Sequence, residues 1–341
     1  MSTFTRSRIL PVVMSFTLTL LTAIGVSSAN AADKPIKIKV LSSWGTDQTY
    51  TKLFLVPWVE RVNERSKGKI EASWVGPEAV PPFEQLLPLS TGLFDILYTH
   101  SAYHTGEVAI GVAMDLVKGK VSDKRAAGFF EILDQGYEKI NAKVLGLNAL
   151  GIGYTIMLKK ETNKADFSGL KLRTTPSYEP MMKALNGASV RLSTPENYSA
   201  LEKGVVDGVC QTALSSIDLK LYEVAKFQVR PLYGEVTQMF LANLDSWSSW
   251  PKDVQDIMIE VTKELEEESR QKLIEYYDNR ITELVNNKEL VLNNLPEAEA
   301  AKLRNTYYDK SCEEIVLRYE PKLGPKMKSI ADKFVSEYPQ D

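Results

Sequence analysis

The chain has 341 residues, 44% of them apolar and 25% charged, with 19 glycines, 16 prolines and two cysteines. That balance is an ordinary globular one and excludes collagen-like, disulfide-framework and disordered classes. The formal net charge is −3 and no basic block occurs, which argues against nucleic acid as a partner; two histidines and two cysteines are too few for a multi-ligand zinc site.

Residues 1–31 read as a cleavable signal peptide. Arg6 and Arg8 are the only charges before Asp33, Ile9 to Val26 is mostly apolar, and Ala29-Asn30-Ala31 fits a signal-peptidase site. The apolar stretch is short for a bilayer span, and no cysteine nearby supports a lipid anchor. Cleavage after Ala31 leaves 310 residues; losing two arginines and no acid moves the net charge to −5. A chain of that size needs no disulfide to be stable, and the sequence does not decide whether Cys210 and Cys312 pair.

Along the mature chain, short β-type runs alternate with helical ones. Ile36 to Val40 has period two and predicts a strand, followed by a loop from Ser42 to Gln48. A helix with Leu55, Val59 and Val62 on one face comes next, with Pro57 kinking it or marking its first turn. Further strands are expected over 69–75, 94–98, 143–148 and 154–158, with a helix over 126–141. The second half predicts strands over 170–173, 189–192, 209–212 and 236–243 and a helix over 176–185. Another helix is expected to be capped by Thr194 with Pro195 at its first position. Such alternation implies largely parallel sheets covered by helices. From Pro251 to Lys288 no proline or glycine interrupts helical spacing. As one helix that stretch would run about 55 Å and touch two domains; the alternative is two helices broken near Ser269.

Enzyme motifs are tested and fail. Gly151-Ile152-Gly153 lacks the third glycine and the helix of a dinucleotide loop, and Ser168-Gly169-Leu170-Lys171 has no K-T-G or S-D-N companion. G-x-S-x-G, H-E-x-x-H and P-loop patterns are absent. His100 and His104 follow the 94–98 strand at a spacing that would meet on a helix, but a ligand-pocket or surface role fits better than a metal. No metal site, cofactor or catalytic residue is expected.

The segment DFSGLKLRTTPSYEPMMKALNGASVRLSTPENYSALEKGVVD, Asp166 to Asp207, resembles the signature of the solute-binding proteins of TRAP (tripartite ATP-independent periplasmic) transporters, the DctP-like family. The matching features are D-x-x-G-L-K-x-R, A-L-x-G-A, E-x-Y-x-A-L and G-V-V-D-G at Gly204 to Gly208. Lys67 to Glu71, Gly76-Pro77-Glu78 and Gly92 to Asp95 fit in order. The resemblance implies an α/β fold: a two-lobed periplasmic-binding-protein clamshell with hinge strands and one long helix spanning both lobes. Lobe I is expected over 32–150 plus 237–277 and lobe II over 151–236 plus 278–341. The ligand then binds between the lobes of a periplasmic monomer and passes to TRAP membrane permease subunits.

Arg173 matches the family arginine that holds a ligand carboxylate, a task suited to the planar, two-pronged guanidinium; the plainer alternative is a surface or hinge salt bridge. Relatives often carry a second arginine where Gly153 stands here, leaving room for ligand bulk, and an asparagine where Gln211 stands. The missing donor argues against a dicarboxylate or sialic acid. The expected first-lobe contacts are Trp44, His100, Tyr103 and His104, faced by Tyr154 and Tyr178. This set suits a small monocarboxylate with an apolar, keto, hydroxy or aromatic body, a histidine donating to its keto or hydroxyl oxygen. The competing readings are a periplasmic enzyme acting on a small carboxylate, a ligand-presenting sensory protein, and the binding protein of an ATP-driven transporter.

Overall fold

The computed structural model describes residues 34–337; the expected signal peptide lies outside the described residues. Eleven strands among the described residues form two sheets. They are β1 (Ile36–Ser42), β2 (Ile70–Val75), β3 (Ile96–Thr99), β4 (Ala142–Ala149), β5 (Tyr154–Leu158), β6 (Lys171–Thr174), β7 (Ala188–Arg191), β8 (Gly208–Thr212), β9 (Phe227–Arg230), β10 (Thr237–Asn243) and β11 (Val291–Asn294). The first sheet has the order β2-β1-β3-β10-β4 and the second β11-β9-β5-β8-β6-β7. The short runs β9 and β11, not expected from the sequence, complete one side of the second sheet in parallel register, Val291 opposite Phe227.

Each sheet departs from the expected parallel arrangement at one strand. β10 runs antiparallel to β3 and β4, and β5 runs antiparallel to β8 and β9. These are the two strands that the chain enters directly from the other sheet. A crossing of a few residues has no room for the helical connection that parallel neighbours need. The crossing segments pair with each other: the Leu150 N–H donates to Val236 O at 2.9 Å, the Val236 N–H to Ile152 O at 3.0 Å, and Tyr154 and Tyr233 exchange both backbone bonds. Gly153 sits inside this crossing. A Cβ there would lie 2.9 Å from the carbonyl oxygens of both Tyr233 and Gly234. The space at Gly153 is therefore filled by the second crossing segment, and the expected room for ligand bulk is not there.

The long stretch is one helix, Lys252–Asn286, of 35 residues and roughly 50 Å. It packs on β4 and on the helix Val56–Arg65 of the first lobe, and on the helix Ala213–Asp218 of the second. Its close approach to β4 depends on Gly146, where a Cβ would collide with the Thr262 methyl. Arg61 and Arg65 reach Glu264 and Glu268 across the helix pair. Pro57 falls where the π turn Thr51–Leu55 gives way to Val56–Arg65, and the helix near 179 begins late, so Pro180 and not Pro176 occupies its first turn. The expected helix over 126–141 is interrupted at Gly128, which takes a left-handed conformation before Phe129–Tyr137. The C-terminal helix Gly324–Glu337 packs on Phe129–Tyr137 and on the turn Ala109–Leu116, both adjoining the first sheet. Cys210 and Cys312 are free and buried. No helix among the described residues is long and apolar enough to cross a membrane.

Candidate functional site

The carboxyl ends of β1 and β3 face the carboxyl ends of β6 and β8 across the crossing segments, the position where open α/β sheets bind ligands. A cavity of about 30 Å³ lies there. That is room for roughly two water-sized spheres, so the walls stand close together. From β1, Ser42 Oγ donates to the Trp44 carbonyl at 2.7 Å and turns the loop so that the indole packs edge-on against Tyr50 and Tyr98. After β3, His100 caps the turn Ser101–Tyr103. From the second lobe come Arg173 on β6, Gln211 on β8, Tyr154 at the start of β5, and Thr175 and Tyr178 from the segment after β6. Trp44, His100, Tyr103, Tyr154, Arg173, Tyr178 and Gln211, which the sequence singles out from distant segments, thus share one cavity.

Bonds across the cleft hold the walls together. The Tyr103 and Thr194 hydroxyls lie 2.9 Å apart, and Ser215 Oγ donates to Tyr50 Oη at 3.3 Å. Further out, the Thr49 N–H and hydroxyl both donate to Asp218 at 2.8 Å.

Arg173 is 1% exposed. Its Nε donates to Leu192 O at 2.8 Å and its Nη1 to Cys210 O at 2.9 Å, which locks the guanidinium between neighbouring strands. Nη2 is buried without a partner. Burial pulls the Arg173 pKa down from the usual arginine range, and among the described residues its guanidinium bonds two carbonyls and no carboxylate. The surface or hinge salt-bridge alternative is therefore overturned. A buried guanidinium lacking a counter-charge costs several kcal/mol, and an anion in the cavity would relieve that cost.

On the opposite side, a residue that the sequence reading missed organises the wall. Asp115 is fully buried and joins four segments. Its Oδ1 accepts the Thr237 N–H at 3.0 Å, its Oδ2 accepts the Tyr154 hydroxyl at 2.8 Å, and His100 Nε2 lies 3.1 Å from the carboxylate. Its carbonyl accepts the Glu235 N–H at 2.9 Å. His100 Nδ1 accepts the Ala102 N–H at 3.0 Å, so the ring proton sits on Nε2 and faces Asp115 and Tyr154. His100 therefore has no donor left for a ligand, contrary to the expectation of a histidine bonding a keto or hydroxyl oxygen. Burial and the Asp115 charge hold the Tyr154 hydroxyl well above the usual phenol range.

His104 does not join the site. The residues after β3 form a 3₁₀ turn, not an α-helix, so a spacing of four does not bring the two rings onto one face. His104 turns into the core, where its Nε2 lies 2.8 Å from the Tyr137 hydroxyl; burial, with His100 nearby, lowers its pKa to about 3. Thr194 is not the helix cap either. Ser193 is, in a reciprocal capping box with Glu196, which leaves the Thr194 hydroxyl free for Tyr103 and Gln211. Tyr50, Gln238 and Thr175 complete the cavity. No local pattern marks them: Gln238 lies within a buried strand, and Tyr50 precedes the first helical turn by one residue. Among the described residues no cluster of His, Cys, Asp and Glu is arranged to hold a metal ion.

Known proteins resemble this chain in sequence and in fold. A monocarboxylate 2-oxoacid-binding periplasmic protein of Nostoc sp. (strain PCC 7120) is 25% identical over 255 residues, 71% of this chain and 70% of that protein. The C4-dicarboxylate-binding periplasmic protein DctP of Rhodobacter capsulatus is 32% identical over 121 residues, 34% of this chain; that match spans only 36% of its length. Among solved structures, a TRAP periplasmic solute-binding protein from Desulfovibrio salexigens with bound orotic acid superposes with a TM-score of 0.77 at 18% identity, covering 88% of this chain and 99% of that one. The model of the bacterial extracellular solute-binding protein family 7 matches residues 41–314, and this chain therefore belongs to that family, DctP.

Proposed function

We propose that this protein is the solute-binding subunit of a TRAP transporter and captures a small monocarboxylate between its lobes for delivery to membrane permease subunits. The observation that carries the reading is Arg173, a buried cation on the cavity wall with an unpartnered Nη2. A ligand carboxylate would supply the missing acceptor and counter-charge in a site shielded from water. Among the described residues lining the cavity, Arg173 is the single arginine or lysine, so a second ligand carboxylate would be buried without a cation. The rings of Trp44, Tyr154 and Tyr178 favour a compact ligand with a short apolar, keto, hydroxy or aromatic body. The Nostoc relative's 2-oxoacid and the Desulfovibrio protein's orotate fall in that class.

The protein returns its ligand unchanged in this reading. Asp115, the buried carboxylate bonded to the lining residues His100 and Tyr154, is already committed to three donors. Export with removal of residues 1–31 would leave a periplasmic monomer. Its lobes would divide as 32–150 plus 237–277 and 151–236 plus 278–341, except that the helix Gly324–Glu337 packs on Phe129–Tyr137 and Ala109–Leu116 of the first lobe. Calorimetric titration of residues 32–341 with matched mono- and dicarboxylates tests the reading. One-to-one binding of a monocarboxylate, recovered chemically intact, is expected. Tighter binding of the dicarboxylate of the same length, or turnover of either acid, would refute it.

A further inference from the structure

Gln238 narrows the ligand further, resting on the carboxylate reading above. It stands on β10 opposite Asn148 of β4, is 1% exposed and lines the cavity together with Arg173. A buried chain of hydrogen bonds reaches it from the long helix Lys252–Asn286. Ser269 Oγ donates to Asn148 Oδ1 at 3.0 Å, and Asn148 Nδ2 donates to the Tyr98 hydroxyl at 2.7 Å and to Gln238 Oε1 at 3.1 Å. Having accepted from Asn148, the Tyr98 hydroxyl gives its single proton to the same Oε1. Turning both amides round would make the Ser269 hydroxyl an acceptor and strand its proton in the core, where Ser269 is fully buried. The oxygen of Gln238 is therefore turned to the protein, where two donors saturate it. Only the Nε2 hydrogens are left for the cavity.

We propose that Gln238 is a specificity-determining residue: its Nε2 donates to an oxygen on the body of the ligand while Arg173 Nη2 holds the carboxylate. The site then selects an acid that carries a keto or hydroxyl oxygen over the same acid with a methylene in its place. A methylene offers no acceptor and leaves a buried N–H of Gln238 unpaired, and a site built around a hydrogen bond rejects an analogue that cannot make it. A keto oxygen only accepts, so an oxo acid and its unsubstituted counterpart isolate this one bond.

The test uses three matched pairs, pyruvate with propionate, phenylglyoxylate with phenylacetate and levulinate with pentanoate, titrated into residues 32–341 and into the variants Gln238→Glu and Gln238→Met. In the unaltered protein the oxo member of at least one pair should bind about tenfold or more tighter. Gln238→Glu keeps the oxygen that Tyr98 and Asn148 need, puts an acceptor where the donor stood, and should erase or invert that ratio. Gln238→Met removes donor and acceptor together and should bring the ratio toward one. The ratio within a pair is the readout, because a weakened fold or an added charge lowers both members alike. An oxo preference retained in both variants would overturn this inference. So would the lack of any oxo preference in a protein that binds monocarboxylates and loses them in Arg173→Met, and either result leaves the carboxylate reading standing. Failure of every monocarboxylate to bind would overturn the carboxylate reading itself.

Discussion

Replacing Arg173 by methionine fills the same space without the charge, and two opposed effects can be separated. In the ligand-free protein the change removes a buried cation with no counter-ion but takes donors away from Leu192 O and Cys210 O. The first effect is worth several kcal/mol and each lost bond about 1–3 kcal/mol, so they largely offset. The ligand-free Tm should move by no more than about 5 °C. Binding has no such offset. Removing one partner of a buried, hydrogen-bonded charge pair costs about 2–5 kcal/mol, equivalent to a loss of roughly 30- to several-thousand-fold in Kd at about 1.4 kcal/mol per tenfold. Arg173→Lys retains charge but not the fork held by two carbonyls, and should fall between the two. Titration calorimetry reads the affinity. Thermal shift at ligand concentrations near 100 times the original Kd should lose the roughly 2.7 kcal/mol that mass action gives the unaltered protein. A methionine variant that binds within threefold of the original would refute the assignment of Nη2 to the ligand.

Three further outcomes are expected from residues away from the ligand. His104 has a folded pKa of about 3 against 6.5 unfolded, so below pH 6.5 only the unfolded chain takes up its proton and stability falls as pH drops. This group alone should cost about 2 kcal/mol between pH 7.5 and pH 5; His104→Gln should flatten that part of a urea-denaturation pH profile, and an unchanged slope would contradict the assignment. Gly153→Ala pushes a methyl against two backbone carbonyls and should destabilise by about 1–3 kcal/mol in urea unfolding, whereas a change under about 0.5 kcal/mol would mean the crossing segments yield freely. Burial raises the Cys210 thiol to about 12 and Cys312 to about 11, so neither should react with a thiol reagent at pH 8 until the chain unfolds; rapid labelling of the native protein would count against their burial.

Alternation of strand and helix, the uninterrupted run from Pro251 to Lys288 and the family signature around Arg173 were legible along the chain because each is local. Period-two and helical apolar spacing follow from backbone geometry, and a missing proline or glycine leaves a long helix unbroken. The aromatic residues at strand ends were singled out through the family resemblance, which implies contacts in the loops after the first strand and after the 94–98 strand. Boundaries shifted where capping chemistry competed, as at Ser193 and Glu196. Tertiary structure alone decided that β5 and β10 run against their neighbours, because that depends on how the chain crosses between sheets. It also decided that Gly153 serves the crossing and not the cavity, and that His104 faces Tyr137 while His100 faces Tyr154. Asp115 is the clearest case. Nothing around it in sequence marks a site, yet it collects donors from residues 15, 39 and 122 positions away. Its role is set by which distant groups the fold brings to a buried carboxylate, and local periodicity carries no record of that.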